Sequence, residues 1–327
     1  MKRISYLLLI VIFISLLIGC TAQDVVDKVP QPIRVASLKG PTSIGLVKLM
    51  DEDEKGIANN DYNFMITPTV DEIVALIGKG ELDIAAIPAN LSSILYNKTE
   101  GKISVAAINT LGVLYIVENG DSLNSLEDLK GKTIFSTGKG TTPEYVLNYI
   151  LESNGIDVNK DLTIEYKSEA TEVAALLASK ENVIALLPQP FIAASQAKNE
   201  NIKIAFDITE EWDKLQEDTE SSLVTGVVIV NDKFLENNKE EFDIFLEEYE
   251  TSVNFVNNNI GEASELVGKY EIIPELIAIK AIPLCNISFI SGIEMQEKLS
   301  GYLKVLYNAD PQSIGGQLPD EDFYFKK

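Results

Sequence analysis

The sequence predicts an α/β protein built from two doubly wound lobes, and three observations point to this class. The chain repeats itself at an offset of 100 residues, its apolar strands end at proline, and residues 33–327 are too many for one compact core. With 46% hydrophobic residues, the chain can fill two cores. We therefore expect two lobes side by side, joined by strands that cross between them.

The internal repeat appears when the sequence is aligned with itself without a gap. Residues 35–88 and 135–188 share 13 identities in 54 pairs, whereas ordinary composition gives about one in fifteen. The motif Lys-Gly-x-Thr that starts at Lys39 recurs from Lys139. The two halves are therefore expected to fold alike.

Each copy of the repeat predicts a βαβαβ unit. In the first copy the strands cover residues 34–38, 62–66 and 83–87, and the helices cover 44–53 and 70–78. The third strand is a continuous apolar run, which is typical of a parallel strand buried on both faces. The C-terminal third is predicted to be mostly helical and to return to the first lobe.

Two further apolar strands, 112–117 and 223–230, bracket the second copy and are natural places for the chain to cross between lobes. Ligands of doubly wound sheets bind at the carboxyl ends of the strands, so the expected site is a cleft between the lobes. The expected organisation is a signal peptide at 1–19, a tether at 20–32, lobe 1 at 33–112 and 225–327, and lobe 2 at 113–224.

The N-terminal segment predicts export and lipid anchoring. Lys2 and Arg3 precede an apolar run, 4–18, which is shorter than the roughly 20 residues that a transmembrane helix needs. The tetrapeptide Leu-Ile-Gly-Cys that ends at Cys20 resembles the lipobox of bacterial lipoproteins. Lipidation of Cys20 by several acyl chains would hold the mature protein at the extracytoplasmic face of the cell membrane.

Composition excludes several classes of function. With 27 basic and 50 acidic residues, the net charge of −23 argues against nucleic acid as a partner. The chain has no histidine, which removes Ser-His-Asp and Cys-His nucleophile systems and nearly every zinc site. We therefore expect no catalytic activity, no metal and no cofactor, and we expect Cys285 to be a buried structural thiol.

Candidate ligand contacts follow the predicted strands, in the two Lys-Gly turns and at the matching strand ends. Glycine lets a ligand approach the backbone, threonine caps the following helix, and helix N-termini present free N–H groups to an electronegative ligand. The candidates are Lys39, Gly40, Thr42, Ser43, Asn90, Asn109, Thr110, Lys139, Gly140, Thr141, Thr142, Tyr145 and Gln189.

A second interpretation of these residues stays open at this point. Short polar side chains at turns also cap helices and satisfy backbone groups without touching any ligand. The mature chain contains one arginine, Arg34, at the start of a strand and at the wrong end for the cleft. A carboxylate ligand gripped bidentately by arginine is therefore disfavoured.

Four segments resemble the nitrate/sulfonate/taurine and thiamine-precursor group of ABC transporter substrate-binding proteins. They are Leu-Lys-Gly-Pro-Thr at 38–42, Gly-Glu-Leu-Asp-Ile-Ala at 80–85, Asp-Leu-Lys-Gly-Lys at 128–132, and residues 228–236. The resemblance covers nearly all of residues 33–300. It implies a type II periplasmic-binding-protein fold whose lobes close about a two-strand hinge.

The resemblance also implies a function: capture of a small polar organic molecule and its delivery to an ABC permease and its ATPase. Sulfonates, taurine, nitrate and pyrimidine precursors are the ligand types of the group, and no motif selects among them. We expect a monomer. Two alternatives remain, a receptor that presents ligand to a membrane kinase and a dehydratase-type enzyme on the same fold.

Overall fold

The computed structural model describes residues 31–216 and 221–326. The predicted signal peptide, Cys20 and the tether up to residue 30 lie outside the described residues. Within the described part, none of the helices combines the length and the apolar character needed to cross a membrane.

The described chain alternates strands and helices from Ile33 onward. The strands are β1 (Ile33–Leu38), β2 (Tyr62–Thr67), β3 (Ile84–Pro88), β4 (Ile103–Leu111), β5 (Leu114–Asn119), β6 (Thr133–Ser136), β7 (Thr163–Tyr166), β8 (Val183–Pro188), β9 (Ile202–Asp207), β10 (Val224–Asn231) and β11 (Ile287–Ile290). The helices are α1 (Pro41–Ile44), α2 (Val47–Glu54), α3 (Val70–Lys79), α4 (Ala89–Thr99), α5 (Thr142–Ser153), α6 (Ala170–Ser179), α7 (Phe191–Gln196), α8 (Ile208–Lys214), α9 (Asp232–Asn237), α10 (Lys239–Asn258), α11 (Ile260–Lys269), α12 (Glu275–Ala281) and α13 (Gly292–Ala309).

The strands form two sheets, which confirms the predicted fold class. One sheet has the order β11-β4-β10-β3-β1-β2 and the other has the order β7-β6-β8-β5-β9. We call the first sheet with its helices lobe 1 and the second lobe 2, while the residue boundaries of the two domains stay a prediction. In both sheets the strands of the repeat run parallel, as the βαβ order requires.

The two crossing strands occupy equivalent positions. In lobe 1, β10 lies antiparallel between β3 and β4, with Gly226 opposite Pro88. In lobe 2, β5 lies antiparallel between β8 and β9, with Leu114 opposite Pro188. The third strands of the two copies of the repeat therefore have equivalent antiparallel neighbours in their sheets.

Apolar side chains cover both faces of each sheet. One cluster in lobe 1 gathers residues such as Leu49, Phe245 and Tyr249 beneath α2 and α10. A second cluster is continuous from lobe 1 into lobe 2, and Trp212 lies within it, between the rings of Tyr149 and Tyr302 at centroid distances of 5.0 and 5.9 Å. The lobes therefore share buried apolar surface as well as crossing strands.

Two predicted helices are interrupted in the structure. The helix expected at 44–53 is divided into α1 and α2 around Gly45, where an added Cβ atom would lie 2.9 Å from the Tyr249 hydroxyl oxygen. At the start of the C-terminal third, which is predicted to be mostly helical, the helix is broken at Asn238, whose φ of −143° and ψ of 45° are not helical. The C-terminal third also contains strand β11, which periodicity alone did not separate from its helical neighbours.

Candidate functional site

Three predicted contacts in lobe 1 form one buried polar cluster at the carboxyl ends of β1 and β4. The Asn109 side-chain amide donates to the Thr42 carbonyl oxygen at 3.1 Å, and the Thr110 hydroxyl donates to Asn109 Oδ1 at 3.0 Å. The Thr42 hydroxyl donates to the Leu38 carbonyl oxygen at 2.8 Å. These groups hydrogen-bond to one another and to the backbone, so most of their hydrogen-bonding capacity is used within the fold. This agrees with the second interpretation, in which polar side chains at turns serve the backbone rather than a ligand.

Gly226 on β10 completes this cluster and was not among the predicted residues. An added Cβ atom at this position would lie 2.5 Å from Asn109 Oδ1 and 2.5 Å from Thr42 Cγ2. Such distances are far below van der Waals contact, so only glycine allows β10 to approach the turn. The signal was present in the sequence, because an isolated glycine within an apolar strand marks a close approach of the backbone.

The first Lys-Gly turn is closed by its own hydrogen bonds. Gly40 has a φ of +132°, and the Ser43 hydroxyl donates to the Gly40 carbonyl oxygen at 2.9 Å. Helix α1 has only four residues. It is too short to provide the positive helix N-terminus that the sequence predicts here. The Lys39 side chain is exposed and makes no ion pair among the described residues.

The second Lys-Gly turn carries an acid that sequence reasoning overlooked. The Gly140 N–H donates to the Glu144 carboxylate at 2.5 Å, and the Thr141 hydroxyl donates to the Gly138 carbonyl oxygen at 2.5 Å. Thr142 begins helix α5. Because Glu144 lies in the first turn of α5, it competes with any anion for the free N–H groups of that helix end.

Lys139 lies beside the end of β7 in lobe 2. Its ammonium nitrogen is 5.9 Å from the centroid of the Tyr166 ring. Lys139 is exposed and forms no ion pair with any described residue. Among residues 31–216 and 221–326, Lys39 and Lys139 are thus two cations at the carboxyl edges of the sheets that carry no carboxylate partner.

Gln189 and Asn90 occupy matching strand ends but differ in what they bind. Gln189 is 1% exposed, and its Oε1 accepts from the Ala193 N–H at 3.3 Å. Its amide nitrogen has no hydrogen-bond partner among the described residues. The Asn90 amide instead donates to the Ser313 carbonyl oxygen at 3.2 Å, so it binds the C-terminal segment.

Tyr145 also contacts the C-terminal segment. Its hydroxyl lies 3.1 Å from the Gly140 carbonyl oxygen and 2.9 Å from Asp310 Oδ2. Burial raises the pKa of Tyr145, and the neighbouring Asp310 carboxylate raises it further. The hydroxyl therefore stays protonated and acts as a donor at neutral pH.

Asp207 is a second acid at this edge that the sequence did not single out. It ends β9 opposite Tyr115 of β5, while Gln189 N donates to the Val113 carbonyl oxygen just before the same strand at 3.0 Å. Asp207 accepts the Thr209 N–H at 2.8 Å and so caps α8. Partial burial raises the pKa of its carboxyl group.

The opposite edge of lobe 1 holds the arginine and a surface cavity. Arg34 forms a bidentate pair with Asp83 at 2.9 and 2.6 Å, so it stabilises the fold rather than a cleft. A cavity of about 780 Å³ opens beside Gly80 and Lys102, and another of about 680 Å³ lies along α13. Neither includes a predicted contact residue. Within the described chain, no group of three or more acidic or cysteine side chains is arranged to hold a metal ion.

Comparison with known proteins adds a family and a set of structural neighbours. Residues 58–235, more than half of the chain, match the family model described as "ABC transporter, phosphonate, periplasmic substrate-binding protein". No curated protein gives a significant match.

Three of the solved structures that match are described as an ABC transporter, a sulphonate-binding protein and a ligand-binding component of an import system. An ABC transporter protein from Parabacteroides distasonis is 25% identical with a TM-score of 0.76, over 90% of this chain and 99% of that one. The aliphatic sulphonate-binding protein SsuA from Escherichia coli is 13% identical with a TM-score of 0.70, over 91% and 92% of the two chains. A ligand-binding component of an ABC-type import system from Staphylococcus aureus, with zinc bound, is 15% identical with a TM-score of 0.64, over 90% and 97%.

Proposed function

Because the chain belongs to the phosphonate family of ABC transporter periplasmic substrate-binding proteins, we propose that it captures a small oxyanion-bearing organic molecule between its lobes. The chain is thus a substrate-binding component of an ABC import system, and its role is binding rather than catalysis. The predicted ligand types, sulfonate, taurine, nitrate and pyrimidine precursors, are extended here to phosphonates by the family match.

One observation carries the proposed ligand chemistry: a hydrogen-bond donor is left over at the carboxyl edge of lobe 2. The Gln189 amide nitrogen is buried and has no partner among the described residues. A buried donor without a partner costs about 1–3 kcal/mol, which a ligand acceptor would recover. Lys39 and Lys139 add two positive charges at the same edges of the sheets, and both favour an anionic group.

Acidic groups near the same edge refine the ligand class. Glu144 already occupies the Gly140 N–H in the turn before helix α5, and Asp207 lies half-buried beside the start of β5. An acceptor-rich ligand that also carries an ammonium group, such as an aminoalkyl sulfonate or aminoalkyl phosphonate, would complement both signs of charge. Nitrate would use only the donors.

The membrane arrangement is a further part of the proposal. The lipobox-like sequence before Cys20 supports a lipid anchor that holds a monomer at the extracytoplasmic face of the cell membrane. There it would deliver ligand to an ABC permease and its ATPase. A kinase receptor remains the alternative, and uptake of a labelled ligand into vesicles that contain the permease and ATPase would separate the two.

The experiment is a thermal-shift screen of the chain from Thr21 onward. Residues 32–327 form one compact unit, so this chain keeps both sheets. The panel contains alkylsulfonates, alkylphosphonates, taurine, aminoethylphosphonate, nitrate and pyrimidines. A ligand at 100 times its dissociation constant stabilises the fold by about 2.7 kcal/mol, which corresponds to a rise in Tm of roughly 5 °C.

A matched pair of variants tests the contact itself. Gln189→Met should lose most of the shift given by the best ligand, because it removes the unpaired donor while keeping the length of the side chain. Gln296→Met is the control, since Gln296 lies on α13 and its amide donates to the Glu321 carboxylate. An equal ligand shift in both variants, or no shift with any oxyanion, would contradict the proposal.

A further inference from the structure

We infer that Tyr145 and Asp310 form a latch between the lobes that positions the turn Gly138–Thr142 for ligand binding. This inference rests on the proposed function and assigns Tyr145 a positioning role in place of the predicted direct contact. On the predicted domain boundaries the residues come from different lobes: Tyr145 lies in the first turn of α5, and Asp310 follows the last residue of α13.

On the lobe 2 side, the Tyr145 hydroxyl has two acceptors within reach. The Gly140 carbonyl oxygen is 3.1 Å away and Asp310 Oδ2 is 2.9 Å away. One hydroxyl hydrogen serves one strong hydrogen bond at a time, and the charged carboxylate is the stronger acceptor. When the lobes meet, the hydroxyl therefore turns to Asp310 and leaves the Gly140 carbonyl oxygen free in the contact turn.

On the lobe 1 side, the same carboxylate is held in place by the C-terminal segment. Asp310 Oδ1 accepts the Gln312 N–H at 2.9 Å and so caps the short 3₁₀ helix Pro311–Ile314. That helix is fastened to α4, because Asn90 donates to the Ser313 carbonyl oxygen at 3.2 Å. Asp310 thus moves with α4, and its bond to Tyr145 exists only while α5 is close.

Two more side chains of α4 strengthen this attachment. Ser93 donates to the Ile314 carbonyl oxygen at 2.8 Å, and Asn97 donates to the Gln317 carbonyl oxygen at 3.0 Å. Three successive turns of α4 therefore hold the segment. A hydrogen bond to a residue anchored in this way transmits the position of lobe 1 to the turn of lobe 2.

The chain supplies a matched control within lobe 1. Tyr96 of α4 donates its hydroxyl to Asp320, and Asp320 caps the 3₁₀ helix Glu321–Phe323 through the Asp322 N–H at 3.2 Å. This pair repeats the chemistry of Tyr145 and Asp310, a tyrosine hydroxyl on a capping aspartate. It differs in joining α4 to the C-terminal segment without reaching lobe 2.

The test measures opening of the lobes without any ligand, so its outcome is independent of the ligand screen. Spin labels at Lys98→Cys on α4 and Glu152→Cys on α5 report the distance between the lobes by pulsed electron resonance. In Tyr145→Phe we expect the ratio of open to closed molecules to increase about tenfold, as loss of one hydrogen bond to a charged acceptor predicts. Tyr96→Phe should leave the ratio unchanged.

Coupling between the two residues gives a second readout. Asp310→Ala should increase the open fraction as Tyr145→Phe does, and the double variant should open no further than either single variant. Asp320→Ala, which also removes a capping carboxylate, should leave the distance distribution unchanged. The latch is overturned if Tyr145→Phe and Tyr96→Phe give the same distances, or if the Tyr145→Phe and Asp310→Ala effects multiply in the double variant.

Discussion

Replacement of Gly226 by alanine probes the tightest contact of the candidate site. The new methyl carbon would lie 2.5 Å from Asn109 Oδ1 and 2.5 Å from Thr42 Cγ2. Neither atom can withdraw into open space, because Asn109 is 1% and Thr42 is 5% exposed. The side chains must move, which breaks the bond from the Asn109 amide to the Thr42 carbonyl oxygen.

The expected cost has two parts. Overpacking of a full core costs about 1–3 kcal/mol, and a buried polar group left without its partner costs about 1–3 kcal/mol more. Alanine recovers roughly 0.5–1 kcal/mol relative to glycine within a strand. We therefore expect Gly226→Ala to lower the free energy of unfolding by about 2–4 kcal/mol.

Denaturant unfolding, followed by circular dichroism, measures this difference. Gly261→Ala is the control, because residue 261 lies in α11 and an added Cβ atom there meets nothing within 4 Å. The control should be stabilised by up to about 1 kcal/mol. A cost below about 1 kcal/mol for Gly226→Ala would refute the argument that β10 and the first Lys-Gly turn require glycine there.

Two further predictions concern titratable groups. Burial raises the pKa of Asp207 above 3.8, so its protonated form favours the folded state; this contribution is present below pH 3.8 and is lost as the pH rises through the folded-state pKa. Asp207→Asn keeps the α8 cap and serves as the reference. The difference in the free energy of unfolding, parent minus Asp207→Asn, should therefore fall with rising pH. A difference that rises would contradict the assigned cause. Burial also raises the pKa of Cys285 to about 12; the folded chain from Thr21 onward should resist a thiol reagent at pH 8 and bind one equivalent in denaturant, whereas rapid labelling of the folded protein would disprove the burial.

Much of the fold was predictable because it depends on short-range patterns. The repeat, the apolar strands and the parallel βαβ order are set by residues within about 50 positions of one another, and both sheets have the expected topology. Strand β11 was missed because a segment of four residues carries too little periodicity to be distinguished from a helix. The need for glycine at residue 45 was missed for another reason: Tyr249, whose hydroxyl oxygen an added Cβ atom would meet, lies about 200 positions away.

The site was only partly predictable. The sequence located polar residues at strand ends, and Thr42, Asn109 and Thr110 do meet in one cluster. It did not reveal which of their donors remain available, because a ligand contact and a structural hydrogen bond require the same residue types. Whether these residues contact a ligand stays a prediction.

What the sequence determined by itself was the architecture: two repeated α/β units, crossing strands between them and a family resemblance that the family match confirms. What only the tertiary structure decided was the partner of each polar group. Asn90 and Gln189 both follow the third strand of their copy of the repeat, yet Asn90 is bound to a carbonyl 223 positions later while the Gln189 amide nitrogen has no partner among the described residues. Hydrogen-bond partners are fixed by proximity in space, and folding brings together residues whose positions along the chain carry no sign of that proximity.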